Sequence, residues 1–335
     1  MSRLSNTLVL ASLTVATAAF AADNSFDKTV SVTSGANISV STGSGYIKVT
    51  PGSDNQVHVV AHLRAGHGWG SGGSDTEGRI QQIIAHPPIE QEGNNVTIGN
   101  HHGNSDLFKN ITIDYDVTTP KSVTLRASTG SGSVDVSDID GTVTATSGSG
   151  DIHAENLGAV TKLQTGSGSI RANGIRGGSN LQSGSGDIEL HQTAPGDVHA
   201  QTGSGSVRLH GTNGTLHAGT GSGDIEVDGQ PTVEWKLQTG SGSIRLNVGN
   251  NAKYSLNADT GSGSIRVDQP ITMQGALNKH HVVGTVNGGG AIIKAGTGSG
   301  DIVIKGTNSV SEVRTNVVVP GATDCVSNPS AAGCK

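Results

Sequence analysis

The chain has 335 residues and a formal charge of −6, with 51 Gly but only three Phe, three Tyr and two Trp. So few aromatics exclude a globule built around a thick aromatic core, and the mild acidic balance with scattered Lys and Arg excludes the basic footprint of a nucleic-acid-binding protein. High Gly and Ser content can mark disorder, but here Ile and Val recur at a fixed phase, which a disordered chain has no reason to keep.

At the N-terminus Arg3 precedes an apolar run over residues 8–19, and Ala19-Phe20-Ala21 supplies small residues ahead of Ala22. This is the pattern of a signal peptide over residues 1–21, and the run is shorter than the ~20 apolar residues that span a bilayer. No Cys follows the cleavage point, which argues against a lipid anchor, and no second apolar stretch has membrane-spanning length. The mature protein is therefore expected to be exported, periplasmic or at the cell surface, without a membrane span.

Residues 22–126 read as a β-rich lead-in that caps one end of a repetitive region beginning at 127. Period-two alternation predicts strands at 37–41, 46–50, 57–63, 95–99 and 111–117. Between them, residues 65–77 are rich in Gly and His and read as an exposed, mobile loop. Gly43-Ser44-Gly45-Tyr46-Ile47 is an outlying copy of the motif that dominates the repetitive region.

From 127 to 307 the chain repeats Thr/Ser-Gly-Ser-Gly-Ser/Asp-Ile/Val. The first Gly of each copy falls at Gly130, Gly148, Gly166, Gly184, Gly203, Gly221, Gly240, Gly261 and Gly298, in steps of 18, 18, 18, 19, 18, 19, 21 and 37. The last step predicts a degenerate copy between 280 and 292, where Gly288-Gly289-Gly290-Ala291-Ile292 is a blurred version.

Each copy holds two alternating stretches, and in a strand alternate side chains share a face. One inward column runs Val134, Ile152, Ile170, Ile188, Val207, Ile225, Ile244, Ile265, Ile302, and the other Ala145, Leu163, Leu181, Ala200, Ala218, Leu237, Ala258, Ala295. One copy cannot bury its apolar face alone, so stacking at the ~4.8 Å strand spacing is required. The fold expected is all-β, a parallel β-solenoid (β-helix) of ~18-residue rungs, with Gly at corners where rungs approach closely.

Outward positions read Arg171, Glu189, Arg208, Glu226, Arg245, preceded by alternating Ser169, Asp187, Ser206, Asp224, Ser243. A turn of one unit places opposite charges side by side, whereas a turn of two units, 36 residues, places them on opposite sides. Both geometries fit the alternation; the one-unit turn is expected because only it uses the pattern for cross-strand pairing.

Residues 308–335 form a tail containing Cys325 and Cys334, the only cysteines. In an exported chain these two are expected to pair as a small disulfide clip.

The succession GSGSVDVSDIDGTV, GSGDIHAENL, GSGSIRANGI, GSGDIELHQT resembles the bacterial domain-of-unknown-function family 4097 (DUF4097), whose members carry an adhesin label. The resemblance covers roughly residues 35–305, and VTLRASTGSGSVDV is its most specific phrase. It implies a β-solenoid without known catalytic residues. The His-rich insertion and the cysteine-bearing tail depart from the family pattern.

Candidate chemistry is sparse. Asp151, Asp187, Asp224 and Asp301 are similar to the acids of calcium β-rolls, but they sit directly before the apolar residue and mainly in alternate copies, so facing loops cannot gather six oxygen ligands. Among thirteen His, the pairs His101-His102 and His280-His281 are adjacent in sequence, while His199/His217 and His191/His210 share outward columns; neither of the latter has an evident third metal ligand. Glu189 and Glu226 repeat rather than converge, which disfavours a catalytic site. Gln164, Gln182, Gln201 and Gln238 form one outward column, and Thr165, Thr202, Thr220, Thr239, Thr260 and Thr297 are assigned to another.

The reading is a non-enzymatic exported envelope scaffold or adhesin-like module without catalytic residues, metal ligands or cofactor. Its expected partners are an envelope polymer, a glycan or a surface protein. The alternatives are a carbohydrate-active β-helix enzyme and a His-mediated metal-binding envelope protein.

Overall fold

The computed structural model of the chain describes residues 24–66, 73–99, 105–273 and 278–308. The expected signal peptide, His101-His102 and the expected Cys325–Cys334 clip lie outside these residues.

Each repeat forms one rung, with a strand before the Gly-Ser-Gly corner and another after it, such as Val198–Thr202 and Val207–Thr212. The two strands belong to different sheets of 14 and 13 strands among the described residues. Within each sheet, neighbouring rungs pair in parallel: Ile152 lies beside Ile170 and Ile170 beside Ile188 in the first sheet, while Leu181 lies beside Ala200 in the second. A full turn therefore takes one unit. Arg171 lies beside Glu189, Glu189 beside Arg208, Arg208 beside Glu226 and Glu226 beside Arg245.

The core is the gap between the two sheets. Ile170, Ile188, Val207, Leu163, Leu181 and Ala200 are completely buried in it. A buried Ile or Leu contributes about 1.5–3 kcal/mol, so a rung with three or four small aliphatics cannot offset its own ordering entropy and depends on its neighbours. The largest buried side chains are Trp235, Tyr115 and Tyr254, and the two tyrosines belong to the terminal rungs.

At both ends the rungs are out of sequence order. The outlying copy is a full rung: Asn37–Ser44 and Ile47–Pro51 pair in register with Thr124–Ser131 and Val134–Ser137, Ile47 lying beside Val134. Beyond it, Asn95–Gly99 and Ile111–Thr119 make the terminal rung. Antiparallel strands then close the stack, Gln56–Ala65 and Ser25–Ser31 on the first sheet and Ile89–Glu92 on the second.

The other end mirrors this arrangement. Tyr254–Ser262 and Ile265–Val267 form the outermost rung, and Ala291–Ser299 with Ile302–Thr307 slots between it and the rung at Trp235–Ser241 and Ile244–Gly249. The degenerate rung expected between 280 and 292 is absent from the stack. Its first part, His281–Val286, instead runs antiparallel outside Tyr254–Ser262, followed by Ile271–Met273.

An exposed parallel edge recruits other chains, so each end needs a covering strand. The chain lays down the inner rung first at the N-terminal end and last at the C-terminal end, with antiparallel cover strands lying between it and the outermost rung in sequence. Part of the predicted loop at 65–77 is also helical, as Gly73–Ala85 forms an α-helix. Ile80 and Ile83, spaced i and i+3, are buried on one side of it. The flanking Gly residues obscured that short apolar stripe in the sequence.

Candidate functional site

The corners are held by a hydroxyl staple. The Thr165 hydroxyl donates to the Gly150 carbonyl of the preceding rung at 2.8 Å and accepts from the Gly168 N–H at 3.1 Å. Ser147 and Ser183 repeat both bonds, and Thr202 does so at 2.8 and 3.3 Å. The Thr column is therefore not an outward binding array: Thr165 is only 2% exposed, and Thr202, Thr220, Thr239, Thr260 and Thr297 are also buried. Backbone groups at a tight corner lack sheet partners, and a short hydroxyl both donates and accepts. The adjacent Gly is sterically required, since a Cβ on Gly168 would sit 2.1 Å from the Gly150 oxygen.

The outer face of the first sheet explains the Ser/Asp and Arg/Glu alternation together. Asp151, Asp187 and Asp224 each accept the backbone N–H of the Ser in the next rung, at 2.7 Å from Ser169, 2.8 Å from Ser206 and 2.8 Å from Ser243. Two of these carboxylates also draw the Arg of that rung: Arg208 reaches Asp187 at 3.4 Å and Arg245 reaches Asp224 at 2.8 Å. The arginines thus pair with the diagonal Asp, while Glu189 and Glu226 stand one rung to either side of Arg208 and do not meet as a catalytic pair.

The swapped rung continues this alternation. In sequence order Ser243 would be followed by Ser264, placing Arg245 against Arg266. In the stack Asp301 lies between them, and its carboxylate accepts the Ser264 N–H at 2.8 Å. The Arg245 side-chain bond, then the Ser243 N–H, holds Asp224 below the ordinary carboxylate range; the backbone N–H of Ser264 does the same for Asp301. At the opposite end Asp114 takes the equivalent place, accepting the Tyr46 N–H at 3.0 Å and pairing with Arg64. Burial and the 2.8 Å bond to Asp116 push the Tyr46 phenol up to about 12.

The outer face of the second sheet is different. One row runs Gln164, Gln182, Gln201, Gly219, Gln238, Gly296 through adjacent rungs. Beside it runs Lys162, Asn180, His199, His217, Lys236, Lys294. The Gln row and the corner glycines bound an open trough of about 700 Å³. None of these four Gln side chains makes a hydrogen bond among the described residues. On the far side of the cations lie Asp197, which accepts the Thr215 N–H at 2.9 Å, and Glu234, which pairs with Lys294 at 2.7 Å. Those partners hold both acids below their ordinary range.

The His columns predicted from sequence are adjacent in space. His199 and His217 have ring centroids 6.2 Å apart, and His191 and His210 6.3 Å apart. His210 Nδ1 lies 2.6 Å from Asp228, and His281 of the adjacent pair meets Asp259. Among the described residues no group of three His, Cys, Asp or Glu converges as a metal-ligand set. A second concavity of about 400 Å³ lies at the N-terminal corner, between Ser41, Thr42 and Ser44 on one side and Ile111, Ile113 and Tyr115 on the other.

These features define a repeat protein of the parallel β-solenoid class, with a charge ladder on one face and a free amide row on the other. The Toastrack DUF4097 family model matches residues 23–210 and 161–305, and the chain belongs to that family. No curated protein matches the sequence. The chain is similar to three solved structures. One is described as a "putative cell adhesion protein" from Clostridium sporogenes, with 10% identity over 84% of this chain and 100% of that one and a TM-score of 0.23. A "putative lipid binding protein" from Parabacteroides distasonis shows 13% identity over 85% and 98%, with a TM-score of 0.44. A "putative adhesin" from the same organism shows 15% identity over 84% and 97%, with a TM-score of 0.30.

Proposed function

We propose that the protein is a non-enzymatic, exported component of the cell envelope, acting as a stiff scaffold or adhesin-like surface module. The observation that carries this reading is the regularity of both outer faces. Eleven stacked rungs among the described residues make a rod about 50 Å long at the ~4.8 Å strand spacing. The acids whose proton affinity is displaced, Asp197, Asp224, Glu234 and Asp301, are all pushed down by N–H donors or cations. A carboxylate held ionised in this way is a structural post and not a proton donor. The signal-peptide pattern of residues 1–21 supports export, and residues 22–126, 127–307 and 308–335 are then cap, solenoid and tail of the mature chain.

Cell fractionation with a tagged chain tests the reading, combined with a reducing-end assay on envelope polysaccharides. The expected result is a processed protein outside the cytoplasm that releases no sugar ends. A full-length cytoplasmic chain would overturn export, and catalytic release would overturn the non-enzymatic assignment.

A further inference from the structure

We propose that the outer face of the second sheet is a binding groove for a linear acidic polysaccharide, resting on the surface-module reading above. The trough runs along the solenoid axis from Gln164 to Gln238, four strand spacings or about 19 Å. A polymer lying along it meets the same functional groups at every step.

Two glycines make the strongest argument. At the corners a Cβ would collide with backbone oxygen, at 2.1 Å for Gly168 and 2.3 Å for Gly203. Gly219 and Gly296 occupy the Gln row in strand interiors, where nothing prevents a side chain: at Gly219 a Cβ would meet only the Gln201 side chain at 3.5 Å and the Gln238 oxygen at 3.8 Å, and at Gly296 nothing within 4 Å. Glycine inside a strand weakens it and often marks close approach by a ligand. Here the missing side chains open notches on either side of Gln238.

The chemistry of the walls selects the occupant. Carboxamides both donate and accept, which suits sugar hydroxyls. Stacked rungs can satisfy an amide, as with Gln192 to the Gly177 carbonyl at 2.9 Å and Asn247 to Asp228 at 2.5 Å, whereas the four trough glutamines are left open to a ligand. Lys162 and Lys236 flank them without an ion pair among the described residues, and His199 and His217 stand between. Of the acids of this face, Asp197 and Glu234 lie beyond the cation row, and Asp259, which continues the Gln row past Gly296 and so past the Gln238 end of the trough, is paired with His281. Hydroxyl-matching amides beside free ammonium groups fit a uronate chain. A nucleic acid would call for the broad stacking surfaces of Phe, Tyr or Trp, and neither row contains one.

Titration calorimetry at low salt tests this with alginate oligomers, neutral dextran oligomers of equal length, and a single-stranded oligodeoxynucleotide of equal charge. Alginate is expected to bind, with dextran and the oligonucleotide at least about tenfold weaker. The charge reversal Lys162→Glu/Lys236→Glu should weaken alginate about tenfold or more, and Gln182→Ala/Gln201→Ala about fivefold. Arg171→Glu/Lys305→Glu, which changes net charge equally on the opposite sheet, should leave affinity within about twofold. Should the reversal variant melt early, Lys162→Gln/Lys236→Gln gives the same comparison without repulsion. Absence of alginate binding, equal binding of the oligonucleotide, or insensitivity to the Lys and Gln changes would each overturn the groove. Alginate cleavage in the same samples would overturn the non-enzymatic reading instead, so the two failures are separable.

Discussion

Replacing Thr165 by Val keeps the shape of the corner and removes only its hydroxyl. Two backbone groups then lose their partner: the Gly150 carbonyl, bonded at 2.8 Å, and the Gly168 N–H, bonded at 3.1 Å. The site is buried at 2% exposure, so water cannot readily replace the bonds. An unsatisfied buried donor or acceptor costs about 1–3 kcal/mol, and partial relaxation of the corner brings the pair to about 2–4 kcal/mol. That corresponds to a fall of roughly 3–7 °C in the melting temperature of a chain this long. Thr165→Ser should cost under about 1 kcal/mol, because Ser147 and Ser183 make the same two bonds. Thermal unfolding followed by circular dichroism gives the comparison, and hydrogen exchange at Gly168 localises it. If Val matched the wild type while Ser did not, or if all three melted together, the staple would not hold the corner.

Gly168→Ala should destabilise by several kcal/mol because its Cβ meets the Gly150 oxygen at 2.1 Å, whereas Gly219→Ala should be neutral or stabilising by about 0.4–1 kcal/mol; paired melting curves separate the two. Acid should loosen the solenoid. Asp224 and Asp301 have folded-state proton affinities below the ordinary value of 3.8, so their contribution is present above that value and lost as the pH falls through the lowered folded values. A stability profile between about pH 5 and pH 2 should fall with decreasing pH, and Asp224→Asn should flatten it; an unchanged profile would refute the assignment. Asp301→Lys should speed amide exchange in both Ile244–Gly249 and Ile265–Val267, because its rung lies between those of Arg245 and Arg266 and its carboxylate attracts both. Loosening confined to Ile265–Val267 would indicate rungs stacked in sequence order.

The sequence by itself determined the repeating unit and the two inward columns, because strand periodicity and an 18-residue step are local properties that each copy restates, whereas the choice between a one-unit and a two-unit turn was decided by the parallel register of successive copies. It also marked the outlying copy at Gly43–Gly45, the N-terminal strands and the Gln row. The order of rungs at the ends was written there less openly: Ser243 followed by Ser264 breaks the Ser/Asp alternation, and Asp301 restores it only when its rung stands between them. Tertiary structure alone decided what lay under that surface pattern. The Thr column turned inward because corner backbone groups need a hydroxyl, a requirement invisible until two rungs are superposed. The helix at Gly73–Ala85 packs on the capping strand Gln56–Ala65, and the antiparallel strand His281–Val286 covers the outermost rung at the other end. The antiparallel strand answers an exposed edge, and an edge is a property of the assembled stack, not of any one repeat.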